Sequence, residues 1–136
     1  MLSTLRSEPA MHDFNALSPI QLPALYTIAE WHEHLAWSAF RPRIDVHRLY
    51  GDGESGAGAV LLRYQAGGYV PWHEHLGYEH ILVLDGAQSD QHGCARAGSL
   101  IINRPGSAHS VRSEEGCIVL VIYEKPVRFY TAPENL

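Results

Sequence analysis

Residues 67–86 read GGYVPWHEHLGYEHILVLDG, and three of their side chains organise the rest of the chain. His73 and His75 stand two apart, and Glu79 follows four residues later. In a strand, side chains alternate faces, so both imidazoles point to one side. Gly77 lets the chain bend just past the pair, which brings Glu79 back to that side. Two neutral imidazoles and a carboxylate on one face are a partial ligand set for a divalent metal. Beyond Glu79, Ile81-Leu82-Val83-Leu84 reads as a strand, and Asp85-Gly86 reads as a hairpin turn. A fourth candidate, His109, follows the turn-forming run Asn103-Arg104-Pro105-Gly106 and stands near the start of a new strand.

These two stretches resemble the two motifs of the cupins. The first is Gly67, five residues, His73-x-His75, three residues, Glu79, six residues and Gly86, and every spacing fits. The second is Gly98, five residues, Arg104-Pro105-Gly106, two residues and His109. It departs in two places, with Arg104 where the family usually has Pro and Ser113 where it usually has Asn. Neither position is a metal ligand in the family. The tail Ser113-Glu114-Glu115-Gly116-Cys117 and the pair His92-Gly93 are similar to the ChrR-like branch. The resemblance covers roughly residues 40–123. It implies an all-β, RmlC-like cupin jelly-roll barrel binding one divalent transition metal per chain through His73, His75, Glu79 and His109.

The remaining sequence agrees with such a barrel. Residues 43–50 alternate Ile44 and Val46 with polar neighbours, and 59–65, 98–103 and 108–112 read as further strands. Residues 87–90 form a short strand closed by Gln91-His92-Gly93. The most apolar run, CIVLVIY at 117–123, belongs at the centre of a sheet, and 127–130 form a last strand. Many short strands with Gly- and Pro-rich turns and little helix indicate a sandwich or barrel. With the ligands facing in, Ile81 and Val83 face in too, which predicts a polar site above an apolar floor. Residues 1–36 read as an N-terminal arm of little regular structure and 37–132 as the barrel domain. Within the arm, 24–36 is ambiguous between a short helix and an irregular connection.

Trp31-His32-Glu33-His34 repeats the letters of Trp72-His73-Glu74-His75. Four residues past His34 stands Ser38 rather than a Glu, and no Gly bend follows, so these read as surface or interface histidines. His80 alternates away from Glu79 and reads as outward-facing. His92 fits no ligand position, His47 is undetermined and His12 lies in the arm. Arg63, Tyr64, Gln65, Tyr78 and Gln88 are candidates for the cavity mouth, but strand parity is not legible. Arg104 reads as a solvated turn residue, with contact to an anionic ligand as the alternative.

With 136 residues the chain has room for one domain, and 46% hydrophobic residues suffice for a core. A net charge of -5 with scattered Lys and Arg argues against a nucleic-acid surface. No apolar run approaches the ~18 residues of a membrane helix, and no leader pattern opens the chain. Cys94 and Cys117 read as reduced thiols of a cytoplasmic protein, with a bridge between them left open.

Three imidazoles and one carboxylate leave coordination positions open for water, oxygen or a bidentate substrate. The ligand types suit Fe(II) or Zn(II) first, then Mn(II), Ni(II) or Co(II). Two function classes follow. Stand-alone cupins similar to this branch include dioxygenases acting on diketones or hydroxyacetophenones. ChrR-like proteins also include anti-sigma factors with a zinc-binding helical domain, which the first 40 residues, lacking Cys, do not resemble. The leading expectation is a metal-dependent dioxygenase for a small diketone or hydroxy-ketone, and the alternative is a non-catalytic metal-binding sensor. A metal that only stabilises the barrel is the plainest reading. A small-molecule ligand in the mouth is expected, and a homodimer that covers exposed sheet edges.

Overall fold

The apolar run Cys117–Tyr123 forms β9, and it is central. The computed structural model describes residues 17–130. Its strands are β1 (Ser38–Arg41), β2 (Ile44–Tyr50), β3 (Gly58–Tyr64), β4 (Gly68–Glu74), β5 (Glu79–Asp90), β6 (Gly93–Arg96), β7 (Leu100–Asn103), β8 (Ala108–Ser113), β9 and β10 (Arg128–Phe129). They pair antiparallel in the order β1-β2-β3-β9-β5-β8-β4-β10, with β6 and β7 also on β5. The result is one curled sheet, an all-β cupin jelly roll, as expected.

Register explains the core. Val60, Leu62 and Tyr64 of β3 oppose Val121, Val119 and Cys117 of β9, and Val121 and Val119 oppose Ile81 and Val83 of β5. All eight are buried on the inner face. The opposite face of β3 and β9 is buried as well. Leu61 and Ile118 pack there against Ile28, with Leu25, Trp31, Leu35 and Trp37 around them. This double burial is why β9 reads as a continuous apolar run. Ile28 is wholly buried, a burial that contributes about 2 kcal/mol. It sits in three consecutive helical turns, Leu25–Thr27, Ile28–Trp31 and His32–His34. The ambiguous segment 24–36 is therefore a short helical cover for the outer face of the sheet.

One reading fails. Asp85-Gly86 is no hairpin turn, because β5 runs through it from Glu79 to Asp90. A two-residue hairpin of the Asp-Gly kind needs positive φ at both positions. Here only Gly86, at φ +73, has it. The register against β9 slips between Val83 and Asp85 instead, the mark of a β-bulge. The bulge turns β5 from β9 and β7 toward β6 and β8. β1 was not foreseen: its residues are exposed or half-buried and carry no alternation. No helix among the described residues is long and apolar enough to cross a membrane.

Candidate metal centre

Pairing of β4 with β8 sets His73 directly opposite His109. His75 lies one residue past β4, held where its N–H donates to the Ser107 carbonyl (2.8 Å) and its carbonyl accepts from Gly106 N–H (2.8 Å). Glu79 opens β5. All four are buried: His73 4%, His75 1%, Glu79 7% and His109 2% exposed. The ring centroids are 5.2 Å (73 to 75), 4.8 Å (73 to 109) and 4.7 Å (75 to 109) apart. One nitrogen from each ring lies within 4.8 Å of the others, so the three buried histidines could hold a metal ion.

The hydrogen bonds indicate which nitrogens are free. His73 Nδ1 donates to the Pro71 carbonyl at 2.8 Å. His75 Nδ1 donates to the Ser107 carbonyl and Oγ at 3.0 and 2.9 Å. His109 Nδ1 donates to Asp90 Oδ2 at 2.7 Å. An N–H at Nδ1 leaves a bare lone pair at Nε2. Nε2 of His75 and of His109 is buried without a hydrogen-bond partner. His75 Nε2 does come within 3.1 Å of Glu79 Oε1, but out of alignment for a hydrogen bond. Glu79 thus stands beside His75 but outside the set of three nitrogens that lie within 4.8 Å of one another. Asn103 Nδ2 donates to the same Glu79 oxygen at 2.9 Å and fixes its position.

Charge states agree with this. Burial pushes the His73 ring down to about 4, and its neighbours His109 and His75 add to the effect. It is therefore neutral at physiological pH, as a ligand must be. Burial works against ionisation of Glu79, and the Asn103 amide donating to Oε1 works for it. Asp90 is held low, its partial burial overcome by the His109 ring and the His92 backbone N–H.

His73, Glu79 and His109 line a cavity of about 180 Å³ with Ile81, Val111, Val119 and Val121, so polar site and apolar floor share one chamber. Tyr64 and Gln88 join the lining, while Arg63, Gln65 and Tyr78 do not. Arg63 faces the outer side, 2.8 Å from Asp45 and 4.3 Å from the Trp37 ring centroid. Phe129 of β10 packs on the His73 ring at 5.4 Å, and the Arg41 guanidinium lies 4.2 Å from the Phe129 ring centroid.

The other histidines stand apart. His80, His92 and His34 are exposed. His32 Nδ1 meets Arg63 at 3.1 Å, and His47 Nδ1 meets the Ala36 carbonyl at 2.8 Å. His12 lies outside the described residues. Arg104 is exposed. Cys94 and Cys117 are both free, one exposed and one buried. Sequence reasoning missed Asp90, Ser107 and Asn103 as supports of the cluster. Ser107 and Asn103 flank the second motif and could have been flagged by position; Asp90 could not, since the bulge hides its face.

The model of the ChrR Cupin-like domain matches residues 28–127. The chain belongs to this family. No curated protein matches it. Among solved structures, Rhodobacter sphaeroides SigE in complex with the anti-sigma ChrR is similar at 26% identity. The match covers 91% of this chain and 70% of that one, with TM-score 0.64. An acetylacetone dioxygenase from Acinetobacter johnsonii is 14% identical over 97% of this chain and 86% of its own, with TM-score 0.66, a likeness of fold. A cupin-like protein of unknown function from Ralstonia eutropha JMP134 is 20% identical over 65% of this chain, with TM-score 0.59. This ChrR cupin-like chain spans 59% of that protein's length.

Proposed function

We propose that this ChrR cupin-like protein binds one divalent transition metal through His73, His75, Glu79 and His109, and works as an Fe(II)-type dioxygenase on a small diketone or hydroxy-ketone. The observation that carries the metal reading is the set of Nδ1 hydrogen bonds, which leaves Nε2 lone pairs converging in a buried site. No thiol lies in the cluster, and four protein ligands leave positions open in a five- or six-coordinate ion, unlike a closed structural zinc site. Bound there, the ion would supply a Lewis acid for a chelating substrate and a site for oxygen. The chain's own residues do the rest. Asp90, Ser107 and Asn103 hold the ligand atoms in place, and the apolar walls exclude water from a bound molecule. The substrate class is supported by cavity size, since about 150 Å³ of apolar space takes benzene and this chamber is about 180 Å³. The name of the Acinetobacter structure points the same way.

The second reading is a non-catalytic metal-binding sensor, favoured by the family match and by the ChrR relative. In either case we read the protein as cytoplasmic, a reading supported by its two unpaired thiols. A homodimer is supported by exposed Leu100, Ile102 and Ile122 on and near edge strand β7. The test is metal analysis of untagged protein beside His75→Ala and Glu79→Ala. Near one Fe per chain, lost in both variants, leads to oxygen-uptake assays with acetylacetone. Metal-loaded protein that takes up no oxygen with any diketone or hydroxy-ketone sinks the dioxygenase reading. A metal content no higher than in the variants sinks the site.

A further inference from the structure

Gln88 has no established role and an unusual position. It is 3% exposed, and its Oε1 is buried without a hydrogen-bond partner. Among the described residues its amide makes no side-chain hydrogen bond at all, although a buried amide ordinarily uses both ends. The bulge at Gly86 explains how it came inside. Before the bulge, Glu79, Ile81 and Val83 face in; after it, Asp90 reaches His109, so Gln88, two residues earlier, faces the same way. Gln88 stands between the imidazole cavity and a second cleft lined by Asp90, Asn103 and Ser107.

The surroundings restrict what could satisfy the amide. Tyr64 is buried in the same lining, and burial raises its phenol above the usual range, so its hydroxyl stays a neutral donor. The one Arg in the lining, Arg48, is exposed. Among the described residues no buried Arg or Lys faces the chamber, so the part of a ligand that Gln88 itself meets is uncharged.

We propose that Gln88 orients the ligand of this cavity, its buried Oε1 accepting a hydrogen bond from the hydroxyl of a small molecule; the inference rests on reading the cavity as a ligand site. A buried Oε1 that no protein group satisfies costs stability, and a ligand's donor recovers that cost. Gln88 is thus a residue retained for recognition, and an apolar replacement of like volume makes the ligand-free protein firmer while weakening its grip on hydroxyl-bearing molecules.

The experiment compares wild type with Gln88→Leu, and with Gln88→Met should the branched side chain not fit, all as purified with metal content recorded. Two readouts are taken: melting temperature without ligand, and calorimetric affinity for phenol, benzene and acetylacetone. The expected result is a melting point raised by about 4 °C or more. Wild type should prefer phenol to benzene by about tenfold or more, a preference lost in the variant. Acetylacetone, which brings no free hydroxyl to Oε1 when it chelates, should bind wild type and variant within about threefold of each other. A lower melting point in both variants marks Gln88 as a structural residue and overturns the inference. So does an unchanged phenol preference, or none in wild type. If phenol preference and melting point behave as expected but acetylacetone fails to bind wild type, the diketone reading falls and the role of Gln88 stands.

Discussion

Replacing Gly86 with alanine tests the hinge on which the site depends. Two costs add. The first is conformational: alanine at φ +73 pays about 1–2 kcal/mol for left-handed backbone. The second is steric. A Cβ at Gly86 would collide with the Gly116 carbonyl and the Cys117 Cα. Both are backbone atoms at the head of β9, which β3 and β5 clamp from either side. Such a contact cannot relax by turning a side chain, and overpacking of this kind costs about 1–3 kcal/mol. Together these are about 2–5 kcal/mol, or a melting point lower by about 8–20 °C for a chain of this size. Gly98→Ala separates the two costs. Gly98 has φ +96, but a Cβ there meets nothing within 4 Å, so only the conformational cost of about 1–2 kcal/mol applies. Thermal unfolding followed by circular dichroism, with metal content measured in parallel, reads both. If Gly86→Ala melts within about 2 °C of Gly98→Ala, the close approach to β9 carries no energy and the account of the bulge is wrong.

Asp90→Asn keeps the shape beside His109 but removes the carboxylate that accepts its Nδ1–H. Metal affinity should fall about 10–100-fold in chelator competition, and an unchanged affinity would refute a supporting role for Asp90. Metal-free protein should lose stability in mild acid. His73 titrates near 6.5 when unfolded and about 4 when folded, so its contribution is complete above 6.5 and drains away as pH falls toward 4. That contribution is at most about 3 kcal/mol, most of it gone by pH 5. Urea titrations between pH 7.5 and 5 measure the slope. A flat profile, or one that His73→Ala leaves unchanged, contradicts the buried neutral ring.

Much of this was legible in the sequence, and where legibility stopped has a physical reason. The bend at 76–77 between β4 and β5 returns Glu79 to the side of His73 and His75, and within β5 the period of two then carries Ile81 and Val83 inward. Past Val83 the period breaks. Counting on by twos from Glu79 puts Asp85, Ala87 and Ser89 inside, whereas Gln88 and Asp90 are the residues that turn in. The same dipeptide that suggested a hairpin was the bulge. Asp-Gly signals positive φ, and only its neighbours in space decide whether the chain reverses or bends. The turns over 25–34 were hard to read because each is three or four residues long, too short for a helical period to show. Arg63 reads as a candidate for the mouth until Trp37, just ahead of β1 and 26 positions earlier in the sequence, packs on its guanidinium from outside.

β10 joins the barrel through two register pairs, Arg128 with Glu74 and Phe129 with His73, supported by a 2.6 Å contact of Arg128 with Glu74. A ladder that short is the cheapest part of a sheet to open, and here it lies against an imidazole of the buried histidine cluster. Handling follows from this. A purification tag or fusion partner placed on the C-terminal side of β10 pulls first on the strand beside His73, and colours any metal or ligand measurement made with it. Leu22, near the other end of the described residues, packs on the outer cluster with Ile28 instead, on the face of the sheet turned away from the imidazoles.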